Sequence, residues 1–352
     1  MIRQLTYAEA IREAQEQLLE SDPSVYLLGL GVPTPTGVFG TTQGLVDRFG
    51  PDRVLDLPAA ESGMTGMALG SAIMGMRPIM IHHRVDFAVL SMEPIVNQAA
   101  KWHYMYGGSS TAPLTIRMII GRGWGQGPQH SQSLQAWFAH VPGLKVVMPT
   151  TPADAKGLLV AATLDPAPVI VLEHRWLYDV VGPVEQELRP ARIGESLVVR
   201  SGRDVTLVGC SYMTLECLRA AEILAEHDIQ SEVIDLRTIA PLDFKTIRES
   251  IARTGRLVVV DSGHREFGVT AEILARVVES GVVLKSPPIR LGLPQAPTPT
   301  TPALSDGYYP RAIDVCQAVT RQIGLGSNPD WLIDPDAGSP LDQPNRKFTG
   351  PY

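Results

Sequence analysis

Cysteine is scarce in this sequence: Cys210, Cys217 and Cys316 are the only three in 352 residues. That count rules out a disulfide framework, and without a Cys-x-x-Cys pair it argues against a zinc cluster. Positive charge is also short, with 30 Lys and Arg against 37 Asp and Glu and a formal net charge of −7. A broad nucleic-acid surface is therefore not expected. The first residues, Met1 to Thr6, hold no apolar signal core. The uncharged stretch Ser62 to Met76 is broken by Gly and Ser and is too short to span a bilayer. No membrane partner is expected, and a reducing cytoplasmic setting is the default. No G-x-x-x-x-G-K-[ST] loop occurs, which removes the usual nucleotide phosphate cradle.

What is present is apolar residue in quantity, 44% of the chain, with only 19% charged. That composition supports a sizeable core and excludes a disordered chain. At about 100–200 residues per domain the length suggests two domains. Thr6-Tyr7-Ala8-Glu9 is a capping-box pattern, with a helix expected to about Glu20. Strand-like runs follow at 25–28, 53–57, 78–81, 114–120, 146–148 and 169–172. Helical runs alternate with them at 62–74, 92–106 and from Pro152 onward. This alternation predicts a parallel α/β sheet. The rhythm lapses over 178–200 and resumes with strands at 205–208, 231–234, 257–260 and 289–291. Helices are expected there at 214–225, 244–252, 269–279 and 310–323. The expected division is a first domain over 1–180, a linker over 181–200, a smaller α/β domain over 201–325 and an extended tail over 326–352. The tail aromatics Trp331, Phe348 and Tyr352 are expected to anchor on a neighbouring chain.

Three places carry side chains suited to chemistry. Glu61 stands between a strand and a small-residue helix, where open α/β sheets place ligands. The plainer reading is a first-turn acid favoured by the helix end. Gly121 to Gly127 is glycine-dense and leads to Gln129-His130-Ser131-Gln132; it reads as a mobile gate carrying His130 to a ligand or as a flexible loop. His82 and His83 are adjacent at a strand end, so they face opposite ways and make a poor metal pair. Phe87 and Trp102 are core aromatics by default.

Taken together, the segments resemble a known family. Asp56-Leu57-Pro58-x-x-Glu61-x-Gly63, Gly75-x-Arg77-Pro78-Ile79 and Asn97-Gln98-Ala99-Ala100-Lys101 are similar to the beta subunit of thiamine diphosphate-dependent 2-oxo acid dehydrogenases. So are Gln129-His130-Ser131-Gln132, Pro142 to Val147, Asp154 to Leu158, Val233 to Ile239 and Pro241-Leu242-Asp243. The series runs in order over about residues 1–323, and the transketolase superfamily is the wider relation. The resemblance implies a transketolase pyrimidine-binding domain followed by a smaller transketolase C-terminal domain. It implies thiamine diphosphate bound between an alpha and a beta chain, in an α2β2 heterotetramer, with a lipoyl acyltransferase as a further partner. Magnesium would sit on the alpha chain, whose mark is a Gly-Asp-Gly…Asn motif. No Gly-Asp-Gly occurs here, so the chain reads as half of an active site.

The resemblance also implies residue roles. Glu61 matches the glutamate that bonds the aminopyrimidine ring and exchanges a proton with it. Phe87 matches the aromatic packed on that ring. His130 matches an active-site histidine that orients the substrate or moves protons. Carbonyls at Leu114, Ala162 and Asp165 match a structural potassium site. The chain departs from the family at Met118 to Gly125 and at His82-His83-Arg84. Three cations near the cofactor, His82, His83 and Arg84, would favour an anionic or polyhydroxylated substrate. The function implied is decarboxylation of pyruvate or a related 2-oxo acid and transfer of the acyl or two-carbon unit. Acyloin-forming transfer to a keto-sugar or secondary-metabolite acceptor, transketolase-type ketol transfer, and a non-enzymatic regulatory or scaffold subunit stay open.

Overall fold

The computed structural model describes residues 2–122, 125–340 and 342–344. Trp124 of the glycine-rich loop and the tail aromatics Phe348 and Tyr352 lie outside the described residues.

The first half opens with β1 (Ile2–Thr6) and α1 (Tyr7–Ser21). Thr6 and Glu9 close the capping box reciprocally, so local hydrogen bonding fixes where α1 begins. Then come β2 (Val25–Gly29), α2 (Leu45–Phe49), β3 (Val54–Asp56), α3 (Glu61–Ile73), β4 (Arg77–His82) and α4 (Val85–Ala88). A π-helical run, Glu93–Ala99, leads into α5 (Ala100–Met105), β5 (Thr115–Ile120), α6 (Gln135–Ala139) and β6 (Lys145–Val147). The half ends on α7 (Pro152–Leu164), capped by the Thr151 hydroxyl, and β7 (Val169–His174).

Two strands interrupt the expected linker. β8 (Val181–Glu185) turns back to pair antiparallel with β1, and β9 (Leu197–Arg200) joins the second sheet. The second half continues with β10 (Val205–Gly209), α8 (Tyr212–Ala225), β11 (Ser231–Asp235), β12 (Thr238–Ala240) and α9 (Phe244–Thr254). It closes with β13 (Leu257–His264), α10 (Val269–Glu279), β14 (Ile289–Leu293) and α11 (Ala312–Gln322).

The first sheet has seven strands in the order β12-β6-β7-β5-β4-β2-β3, parallel except for β12. The second has five, β14-β13-β10-β11-β9, parallel except for β9. β12 belongs to the second half by sequence yet extends the first sheet beside β6. Both clusters of buried apolar side chains draw on both halves. Arg237 of the second half also pairs with Asp154 of the first at 2.8 Å. The two domains therefore share packing.

After β2 the chain moves outward to β3, and after β4 it moves the other way to β5. Adjacent strands whose connections diverge leave a crevice at their carboxyl ends. Here it opens between β2 and β4.

The described tail forms no helix or strand. Trp331 stacks on His227 of its own chain, ring centroids 3.8 Å apart. Arg219 holds Asp336 at 2.7 Å, so pairing within the chain accounts for this part of the tail.

Candidate active site

The crevice between β2 and β4 contains a cavity of about 30 Å³ lined by Leu30, Leu57, Pro58, Glu61, Met64, Met80, Ile81, His82, His83 and Phe87. Four residues singled out from sequence, Glu61, His82, His83 and Phe87, thus meet at one place. Glu61 is half-buried at the first position of α3, where strand β3 and the turn through Pro58 deliver it. Phe87 on α4 is 39% exposed at the mouth, not a core aromatic. His130 reaches the same mouth from the loop after β5, its ring edge-on to Phe87 at 5.4 Å.

His82 is 4% exposed, with Nε2 3.4 Å from the Thr65 hydroxyl. Burial, with a smaller push from His83, holds its pKa down at about 4. Burial lowers His83 as well, and its Nε2 is buried without a hydrogen-bond partner. Both imidazoles are therefore neutral at pH 7. Arg84 is engaged elsewhere: its guanidinium donates to the backbone carbonyl of His130. The expected trio of free cations is thus two neutral rings and one loop clamp. The Asp86 carboxylate adds to that clamp by accepting from the backbone N–H and side-chain amide of Gln132, at 3.3 and 2.8 Å. Spacing alone gave no signal for these uses of Arg84 and Asp86, because their partners lie 46 residues away.

An aminopyrimidine ring needs an acid for its ring nitrogen and an apolar plane to lie on. Glu61 and the exposed ring of Phe87 provide both, beside the orphaned Nε2 of His83. The donor set fits. A cavity of 30 Å³ holds about one water. A ring of that kind must lie across its mouth. A larger cavity of about 910 Å³, lined by Trp137, Phe267 and Arg276 among others, includes none of these groups.

The carbonyls matched to potassium fit less well. That of Leu114 accepts from Val169 N at 3.0 Å, and that of Ala162 from Asp165 N at 3.4 Å. Two side-chain cations already occupy the region: Lys145 lies 2.5 Å from the Asp165 carboxylate, and Arg77 donates to the Thr163 carbonyl at 2.8 Å. Among the described residues no group of three or more His, Cys, Asp or Glu is placed to hold a metal. No helix among them is long and apolar enough to cross a membrane.

A family model described as "Transketolase, pyrimidine binding domain" matches residues 3–180, and "Transketolase, C-terminal domain" matches 194–315. The acetoin:2,6-dichlorophenolindophenol oxidoreductase subunit beta of Cupriavidus necator is 40% identical over 339 residues, covering 93% of this chain and all of that one. The mitochondrial pyruvate dehydrogenase E1 component subunit beta-1 of Oryza sativa subsp. japonica is 40% identical, covering 91% of this chain and 87% of its own. Its Homo sapiens counterpart is 36% identical, covering 92% and 91%. A solved split-gene transketolase, an inactive beta4 tetramer, superposes with a TM-score of 0.76 at 22% identity over 91% of this chain and 99% of its own, which speaks to fold alone. With both domains matched in order and relatives at this identity over most of its length, the chain belongs to the transketolase family, among the beta subunits of the pyruvate and acetoin dehydrogenase type.

Proposed function

We propose that this chain is the beta subunit of a thiamine diphosphate-dependent enzyme that decarboxylates pyruvate or a related 2-oxo acid and works only with an alpha chain. The observation that carries the reading is the half-built site. Glu61, His82, His83 and Phe87 surround a cavity too small for a cofactor, and His130 stands at its open mouth. The relatives that share both domains over their length, named as beta subunits, support it.

In this reading the exposed face of Phe87 carries the pyrimidine ring and the Glu61 carboxyl exchanges a proton with a ring nitrogen. When bound, the cofactor would supply an electron sink for decarboxylation. His130 orients the substrate carboxylate or moves a proton to the product carbon. The neutral His82 and His83 serve as hydrogen-bonding walls rather than as an anion clamp. Arg84 and Asp86 keep the His130 loop on this wall. Magnesium and the diphosphate belong to the alpha chain, in an α2β2 assembly, and the carbonyls of Leu114, Ala162 and Asp165 are the candidates for a potassium ion. A lipoyl acyltransferase is the acceptor in the pyruvate-type reading.

A second reading sends the two-carbon unit to a carbonyl acceptor and forms an acyloin; acetoin, for whose oxidation the Cupriavidus relative is named, is itself an acyloin. Product analysis decides between them. The chain is paired with its alpha partner and given labelled pyruvate, with lipoamide or with a carbonyl acceptor. Reduction of an electron acceptor with acyl-lipoamide formation supports the first reading; a new carbon–carbon bond supports the second. Ketol transfer from ketose donors without carbon dioxide release would contradict both.

A further inference from the structure

The loop that presents His130 is held from two sides, and only one of them belongs to the crevice. On the crevice side, Arg84 and Asp86 hold His130 and Gln132. On the far side the hold is Arg122, at the loop's base and 0% exposed. Its guanidinium donates to the Thr300 carbonyl at 2.6 Å and to the Ser305 hydroxyl at 2.8 Å. It also lies 2.8 Å from the carboxylate of Asp342, an ion pair with the C-terminal tail. Asp342 is itself 2% exposed. Next to it, Arg311 donates to the Gln343 carbonyl. At Gly127, nearer to His130, a side chain would collide with the Thr300 hydroxyl. The loop's two ends are tied by Gly121 N donating to the Gln132 carbonyl at 3.3 Å.

An aspartate is almost never fully buried unless it is paired. A buried arginine that loses its acid is left as an uncompensated charge. Asp342 is the only carboxylate paired with Arg122 among the described residues. The pair sits at the base of the loop, where the Gly121–Gln132 bond ties its two ends. Asp342 also lies beyond residue 315, where the matched C-terminal domain ends.

We propose that Arg122 and Asp342 are positioning residues: the C-terminal tail straps the base of the loop that carries His130 and so sets where His130 stands at the crevice. The strap is a property of this chain alone; its bearing on turnover rests on the function proposed above.

The test is amide hydrogen exchange on the full-length chain, comparing Asp342→Asn, Asp342→Glu and the exposed tail control Ile333→Ser. Asp342→Asn is expected to speed exchange over residues 125–132 about tenfold, with Asp342→Glu partly restoring protection and Ile333→Ser changing nothing. Unchanged loop protection in a folded Asp342→Asn overturns the proposal, as does acceleration spread evenly over β5 and α10. If Asp342→Asn does not fold, Arg122→Lys gives the same test. It keeps the charge but not the fork that reaches Thr300 and Ser305, and the same local loosening is expected. In the complex with the alpha chain, Asp342→Asn should lower kcat about tenfold with KM for pyruvate nearly unchanged. A wild-type complex that does not act on pyruvate would sink the functional reading and leave the exchange result to judge the strap.

Discussion

On β5 and β7 every charged atom of the buried network is answered. Arg117 grips Glu173 at 2.6 and 2.9 Å and the Gln15 amide oxygen at 2.6 Å, while the Tyr178 hydroxyl donates to Glu173 at 2.8 Å. One strand over, at the end of β4, the design is the reverse. His83 Nε2 is buried with no partner, Phe87 shows 39% of its surface, and Glu61 is left half-open. A fully satisfied polar network fixes α1 against the sheet and has nothing left to offer a ligand. An unsatisfied one in the same sheet is costly for folding and available for binding. The contrast sets a satisfied network beside a crevice whose groups are free to meet a ligand.

The sharpest way to break that contrast is Glu61→Gln. It should lower turnover of the complex by on the order of a thousandfold while leaving thermal stability and assembly intact. The matching change in the other region, Glu173→Gln, should do the opposite. It leaves Arg117 buried without its acid and should cost about 3–5 kcal/mol in denaturant unfolding. A Glu173→Gln chain as stable as the parent would show that the network is not the structural anchor described here.

Acid should lower the stability of the whole fold through its buried histidines. His82 is held at about 4 by burial against an ordinary value of 6.5. Above pH 6.5 neither folded nor unfolded chain binds that proton, and the folded state keeps its full advantage. Below 6.5 the unfolded chain takes it up and the folded chain does not until about pH 4. Stability should therefore fall across that window, by about 3 kcal/mol from His82. His174, held at about 3 by burial, acts in the same direction. Unfolding free energies at pH 7 and pH 5 check this, and His82→Asn should flatten the slope. The smallest expected effect is Phe87→Ala. It should weaken thiamine diphosphate binding to the complex about tenfold by titration, with little change in melting temperature.

Local signals were legible in the sequence. The capping box at Thr6 to Glu9 and the Thr151-Pro152 start of α7 act through neighbours three residues apart, and both stand where the sequence placed them. Helix α10 spans Val269–Glu279, as its apolar period required. What was illegible depends on distant chain. β8 reads as linker because its partner β1 is some 180 residues away, and β12 reads as second-domain chain although it completes the first sheet. At the site, the positions after β3, β4 and β5 follow from the α/β rhythm, while the roles of Glu61, Phe87 and His130 came from the family resemblance. The charge state of His82-His83-Arg84 could not be read from residue types. Burial neutralises two of them and a carbonyl 46 residues on occupies the third. Trp331 likewise reads as an anchor for a neighbouring chain, with nothing in the sequence to signal its stack on His227.

The central claim is that this chain holds half of an active site. Thiamine diphosphate titration by calorimetry, run on the chain alone and on the chain with its alpha partner, followed by pyruvate turnover on the same samples, tests it most directly. The account predicts no turnover and no saturable binding for the chain alone, with both restored by the partner. Cofactor binding and pyruvate decarboxylation by the isolated chain would contradict it.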